Sequence, residues 1–282
     1  MISYTRMRVG LALLSPREVP GAVGRCPFCG LTLFVRPDRQ SGPHGIRCAE
    51  CSAGLVQMSI GWALHEEIGP LGTLDVYELS AHGAVAAHLR RTAKSVAMSE
   101  YFAGKEPGSL HDGVRVEDVQ RLTYADASFD LVTHCDVLEH VPDDIGFLRD
   151  AAALAETVLI NLPLEDNWLN AGRSYGPTDV SGHLRKYGLT DGFRLVAQAG
   201  LEIAAHAQVW IHETPAEAER RTLRVRHLGA DFSGGWAGRT ARRTVFALAR
   251  RLPSLGRRLF ASNLFIAAHR PDMRPAPRGR RP

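Results

Sequence analysis

The chain has 282 residues, 45% of them hydrophobic and 23% charged, with a formal net charge of +4. This composition excludes a disordered or low-complexity body and leaves room for one large domain plus a small one. No apolar run reaches the roughly 20 residues needed to span a bilayer. The basic excess is arginine gathered toward the C-terminus, so net charge alone does not imply nucleic acid.

The N-terminal stretch "MISYTRMRVGLALLSPREV" has a short apolar core, scattered charge and no convincing small-residue cleavage site. It reads as mature protein, and a cytoplasmic location is expected. Next come "CPFCG" and "CAEC", with Cys26, Cys29, Cys48 and Cys51 in a C-x2-C-x18-C-x2-C pattern. Two residues between cysteines let one tight turn aim both sulfurs at one metal, and two such turns complete a tetrahedral thiolate site. A small zinc ribbon is expected, with a structural Zn2+ ion. A closed four-cysteine site has no open position for catalysis. Docking of a substrate, partner or RNA is the functional alternative, but the basic residues around the module are scattered. The fifth cysteine, Cys135, stands alone in an apolar strand.

"LVQMSIGWALHEEIGPLG" reads as a helix ending near Gly69-Pro70. Strand and helix patterns then alternate. "TLDVYEL" is a strand, "GAVAAHLRRTA" a helix, "KSVAMSE" a second strand, "DGVRVEDV" a third and "SFDLVTHCDV" a fourth. "LEHVPDDIGFLRDAAALA" is helical and "ETVLINLP" a fifth strand. After the polar, Gly-rich "EDNWLNAGRSYGPTDVSGHLRKYG" come a helix, "LTDGFRLVAQAG", and a sixth strand, "LEIAAHAQVW". Residues 217–260 form a basic helical insertion with Arg242, Arg243, Arg250 and Arg251 among apolar residues, "NLFIAAHR" is the last strand, and 271–282 is a disordered tail. The basic insertion reads as an amphipathic surface helix, or as a cap that attracts an acidic substrate or an anionic membrane surface.

Alternation of this kind implies a parallel α/β sheet with helices on both faces. The organisation expected is a zinc-ribbon segment over 1–58 and an α/β domain over 59–270. In such sheets ligands bind outside the carboxyl ends of the strands. The acids there are Glu78, Glu100 and Asp118, and Cys135-Asp136 ends the fourth strand, with Glu139 and His140 beyond. Three acids at successive strand ends suit a nucleoside.

"VYELSAHG", "SEYF", "VEDVQRLTYADASFDLVTHCDVLEHVPDD" and "HLRKYG" before "LVAQAGLEI" together resemble class I S-adenosylmethionine-dependent methyltransferases, within them the small-molecule branch called type 11. The resemblance covers about residues 70–210, and a bacterial subset with a glycine-poor "ELS" motif and paired cysteines ahead of it is also similar. It implies a Rossmann-like seven-stranded methyltransferase sheet and S-adenosylmethionine as cofactor. It implies Glu78 as the acid of the first motif and Ser80, His82 and Gly83 in the loop under the methionine part. Glu100 would hold the ribose, with Tyr101 beside the adenine, and Asp118 and Val119 would frame the adenine edge. His134 and Cys135 would line the cofactor near its sulfonium.

Two features depart from the family pattern. The loop after Glu78 has one glycine where several are usual, and the Pro-Gly-Gly turn before the fifth strand is missing. Transfer to a hydroxyl or protonated nitrogen needs a base, and His140, His183 and Tyr187 are the candidates, with Asp136 and Glu139 behind them. A helical 183–187 segment would put His183 and Tyr187 on one face. The acceptor expected is a small molecule, a sugar or secondary-metabolite intermediate. The rivals are an RNA methyltransferase that docks through the zinc module, as a zinc module also precedes this fold in a ribosomal-RNA guanine family, and a non-catalytic binding protein with a degenerate cofactor loop.

Overall fold

A computed structural model describes residues 17–18, 22–23, 26–31, 34–36, 47–166, 174–179, 181–209, 224–225, 252 and 263–272. The described residues fall into two compact units. One holds the chain up to His65 with Gly83–Val85 and Val209–Ser262, and the other holds Glu66–His82, Ala86–Gln208 and the chain from Asn263 onward.

In the first unit the early strands are β1 (Arg17–Glu18), β2 (Ala22–Val23), β3 (Phe34–Arg36) and β4 (Arg47–Cys48). β3 pairs antiparallel with both β1 and β4. Helix α1 (Leu55–Ala63) follows Gly54, whose N–H donates to the Gln57 side chain at 3.0 Å. It buries Met58, Ile60 and Trp62 and runs on as a π-helical turn over Leu64–Ile68. Gly61 lies so close to Phe28 that a Cβ there would meet the ring at 2.5 Å. Only glycine lets the helix approach the cysteine module this closely.

The second unit is built on β5 (Asp75–Glu78), α2 (Gly83–Thr92), β6 (Ser95–Glu100), β7 (Leu110–His111), β8 (Val114–Val116), β9 (Phe129–Thr133), α3 (Asp144–Leu154), β10 (Ala155–Pro163), α4 (Leu189–Gln198) and β11 (Glu202–Val209). β12 (Arg224–Val225) pairs antiparallel with β2, and β13 (Asn263–His269) closes the main sheet. That sheet has eight strands in the order β11-β13-β10-β9-β5-β6-β8-β7. β5, β6, β8, β9 and β10 are parallel, and β13 runs antiparallel to β10.

The chain steps from β5 to β6 in one direction along the sheet and from β9 to β10 in the other. Right-handed crossovers taken in opposite directions place α2 and α3 on opposite faces. The strand order therefore reverses between β5 and β9, the position where open α/β sheets bind ligands. β10 and β13 are buried almost throughout, as strands covered on both faces must be.

Four sequence expectations change here. The seven-stranded sheet gains an eighth strand, β7, because Asp112 and Gly113 are a hairpin turn and not the start of the third strand. Both have positive φ, 51° and 77°, the geometry of a two-residue hairpin. The helix expected from Leu138 starts only at Asp144, where the Asp143 carboxylate accepts the Gly146 N–H at 2.8 Å. Residues 183–187 are not helical, so the spacing argument for His183 and Tyr187 fails. Arg224 and Val225, expected within a helical insertion, are extended. Most of that insertion, including Arg242, Arg243, Arg250 and Arg251, and residues 273–282 of the tail lie outside the described residues. The missing Pro-Gly-Gly turn is explained, as α3 ends at Leu154 and β10 begins at Ala155 with no loop between. No helix among the described residues is long and apolar enough to cross a membrane.

Candidate functional site

The four cysteines form one cluster. Cys26 Sγ lies 3.4 Å from Cys51 Sγ, and Cys29 Sγ lies 3.5 Å from Cys48 Sγ. The two turns that carry them repeat each other. Gly30 N–H donates to Cys26 O at 2.8 Å and Ser52 N–H to Cys48 O at 3.0 Å, and both residues have positive φ. Sulfurs about 2.3 Å from a common tetrahedral ion sit near 3.8 Å apart, so the spacing fits a zinc-sized cation. Contact with Cys48, aided by burial, pushes the Cys26 thiol up to about 12, while its neighbours hold Cys48 down at about 2. The four sulfurs offer one ligand atom each to such an ion.

On the second unit, the carboxyl ends of β5, β6 and β9 converge. β5 and β9 are in parallel register with Glu78 beside Thr133. The Thr133 hydroxyl donates to Glu78 Oε2. Glu78 is buried, and burial with Glu100 nearby pushes its carboxyl up to about 8. Glu100 Oε1 accepts the Ser80 hydroxyl and the Ala81 N–H, each at 2.9 Å. Ser80 thus gives the loop an anchor in place of a glycine. His82 is exposed, and Gly83 opens α2 at φ +87°, a conformation that favours glycine.

The Glu78 shift has a measurable consequence. The carboxyl stays neutral in the folded chain up to about pH 8 but ionises near 4.5 when unfolded. Its contribution is full below the unfolded value and is lost as pH rises through the folded one. Raising the pH from about 5 to about 8 therefore costs the folded state on the order of a few kcal/mol through this group. Urea unfolding of Glu78→Gln at several pH values checks this, and the variant should show a shallower decline than the parent.

A second cluster lies beyond β9. Asp136 takes positive φ, 50°, and its Oδ1 accepts the Asn161 amide at 2.9 Å. Asn161 in turn accepts from Asn263 on β13 at 3.1 Å. The segment from Gly182 to Tyr187 is strapped across this end of the sheet: Leu184 N–H donates to Glu139 O at 2.7 Å, and Glu165 N–H to Tyr187 O at 3.0 Å. This brings His183 to His140, with ring centroids 4.8 Å apart. His140 Nδ1 lies 3.1 Å from Gly182 O, and His183 Nδ1 lies 2.8 Å from Glu165 Oε2. Between them Glu139 is fully buried, and burial with Asp136 nearby pushes its carboxyl up to about 8.

Residues 80–206, which include Glu100 and the imidazole cluster, match the family model described as a methyltransferase domain. Over this segment, a little under half of its length, the chain is similar to methyltransferase domains. The sheet is a mixed α/β sheet of eight strands, and the cysteine cluster lies N-terminal to it in sequence. No curated protein matches the chain. Among solved structures, the S-adenosylmethionine-dependent methyltransferase from Mesorhizobium loti is 15% identical, with 74% of this chain and 96% of that one covered and a TM-score of 0.43. The Burkholderia thailandensis 1,6-didemethyltoxoflavin-N1-methyltransferase, solved with its acceptor and S-adenosylhomocysteine, is 15% identical, with coverage of 73% and 74% and a TM-score of 0.40. The [4+2]-cyclase SpnF is 13% identical, with coverage of 76% and 83% and a TM-score of 0.45. Likenesses this distant do not bear on the acceptor.

The residues expected to hold a cofactor or act on an acceptor fall into three groups. Glu78, Ser80 and Glu100 sit together, with Tyr101 next to Glu100 in sequence and 66% exposed, while Gly83 opens α2. Asp118 lies two residues past the end of β8, its side chain accepting the Gln120 N–H at 2.9 Å, with half-buried Val119 next to it. His140 and His183 meet in the second cluster. His134 and Tyr187 are placed otherwise. His134 is fully buried, its ring edge-on to Phe147 of α3 at 5.4 Å, and burial holds its imidazole down at about 3. It is thus in the core and not at a cofactor surface. Cys135 is half-buried, 3.9 Å from the Asn161 amide, and burial keeps its thiol protonated.

Tyr187, expected among the catalytic candidates, is buried, and its hydroxyl donates to Asp144 Oδ2 at 2.6 Å and contacts Leu138 O at 3.1 Å. Burial raises its pKa, so it is a poor base and a good tie between the strap and the start of α3. Tyr187→Phe should cost about 1–3 kcal/mol in urea unfolding and leave cofactor affinity unchanged. Sequence reading did not find Thr133, Asn161, Glu165 or Asn263. Their roles come from strand register and from a strap that folds back across the sheet, which no local pattern announces.

Proposed function

We propose that the protein moves the methyl group of S-adenosylmethionine, in line, onto a small-molecule acceptor such as a sugar or secondary-metabolite intermediate, held against His140 and His183. The observation that carries the reading is that the Glu78–Glu100 loop cluster and the imidazole cluster follow the carboxyl ends of two neighbouring strands, β5 and β9. Glu100 has a second oxygen for the ribose hydroxyls, with Tyr101, Asp118 and Val119 beside the adenine. Glu78 is a neutral buried acid that a cation would ionise, and the cofactor brings positive charge to this end. The sulfonium is already an activated donor, so alignment and exclusion of water supply much of the rate. An imidazole near the acceptor takes its proton. In this reading the cysteine cluster holds a structural zinc ion.

Label from methyl-labelled S-adenosylmethionine tests the acceptor class. With fractionated bacterial extract, label should enter the small-molecule fraction. Label confined to the RNA fraction, together with strongly salt-dependent RNA binding, would replace this reading with RNA modification.

A further inference from the structure

The imidazole cluster beyond β9 has a composition that proton transfer alone does not explain. Glu139, His140 and His183 each offer one ligand atom, and these atoms lie within 4.8 Å of one another. Glu139 Oε1 is 3.9 Å from His140 Nε2. Ligands bound about 2.1 Å from one ion sit roughly 3 to 4.2 Å apart, so small side-chain adjustments close the set. The Glu139 side chain has no exposure, and neither of its oxygens has a hydrogen-bond partner among the described residues. A buried carboxylate left in that state is costly unless a cation joins it.

The hydrogen bonds on the far side of each ring fix the chemistry further. Gly182 O can only accept, so His140 Nδ1 carries the proton, and the Glu165 carboxylate does the same for His183 Nδ1. With Nδ1 as the donor, Nε2 is the ring nitrogen left to bind a metal. Metal-binding histidines are held in this way, with a carbonyl or carboxylate on the other nitrogen fixing tautomer and ring orientation. Asp136, with its side chain pinned by Asn161, adds a third carboxyl near the two rings. Arg185 of the same strap is paired with Asp144 at 2.9 Å and donates to Pro142 O at 2.7 Å.

We propose that Glu139, His140 and His183 bind one divalent transition-metal ion, leaving open positions for an oxygen of the acceptor. Two imidazoles and one carboxylate suit zinc, iron, nickel or manganese better than magnesium or calcium. The ion's role toward the acceptor rests on the methyl-transfer reading. The binding site itself does not.

The test uses the full-length protein carrying one zinc per chain, held by the four cysteines, and no cofactor. Mn2+ is titrated and followed by EPR, and Ni2+ by calorimetry. One Mn2+ per chain is expected, with nitrogen couplings from bound imidazole in the pulsed spectrum. Glu139→Gln and His183→Ala should each weaken binding at least tenfold. Because Glu139 is buried, its variant could fail for lack of folding. His140→Ala guards against this, since that side chain is 38% exposed, and it should lose affinity and part of the nitrogen coupling while still binding S-adenosylmethionine. Absence of Mn2+ and Ni2+ binding at millimolar concentration overturns the proposal, as does binding that all three variants leave unchanged. Metal binding in a protein that ignores S-adenosylmethionine would keep the metal site and sink the methyl-transfer reading.

Discussion

Replacing Cys48 by alanine is expected to unfold the N-terminal cysteine module. Cys48 is fully buried at the end of β4, and its sulfur lies 3.5 Å from Cys29. The strands around it are two or three residues long. Strands that short do not form a stable sheet without a further constraint. Structural zinc sites supply an apparent ~10–16 kcal/mol, comparable to the whole stability of an ordinary domain. The parent protein should keep one zinc per chain through gel filtration, and the Cys48→Ala protein should lose it. The module should then become sensitive to protease between Cys26 and Cys51, and strong chelators should reproduce the effect in the parent. A zinc-free parent with a protease-resistant module would contradict the structural-zinc reading.

Glu100→Ala is expected to remove most of the cofactor affinity. One carboxylate oxygen holds the Ser80–Ala81 loop through two hydrogen bonds. The proposal assigns the other to the ribose. Charge-assisted hydrogen bonds contribute about 1.5–3 kcal/mol each, so affinity should fall by about 10- to 100-fold. Thermal shift is the readout. At a concentration about 100-fold above Kd a ligand stabilises the native state by ~2.7 kcal/mol, which corresponds to a rise of roughly 5–10 °C for a domain of this size. The variant should gain only about 1–5 °C under the same conditions. An equal shift in both proteins would remove Glu100 from the cofactor site.

The fold was legible because its signals are periodic. β5, β6, β9 and β10 are short apolar runs between helical stretches, and the acids at their ends mark the carboxyl edge of the sheet. The cysteine cluster was legible because both members of each pair lie within one turn. What escaped depends on tertiary placement. His134 sits one residue past a strand whose other members face the core, and only the packing of α3 decides that it joins Phe147. Tyr187 looked like a base because it follows His183 by four residues, but the segment is not helical and the hydroxyl turns to Asp144. Glu165 is 18 residues from His183 in sequence, and only the strap over the sheet edge brings them within 2.8 Å. The glycine-poor loop departs from the family pattern in sequence, with a degenerate site as the rival reading. The contact of Ser80 with Glu100 shows how a hydroxyl can hold the turn that glycines usually make.

The central claim is that the edge formed by Glu78, the Ser80–Gly83 loop and Glu100 binds S-adenosylmethionine. Calorimetric titration of the zinc-loaded protein with S-adenosylmethionine, and separately with S-adenosylhomocysteine, tests it most directly. The account predicts one saturable site per chain for each ligand. No heat of binding from either ligand at millimolar concentration, in a protein shown to be folded, would contradict it and leave the fold as a scaffold for some other partner.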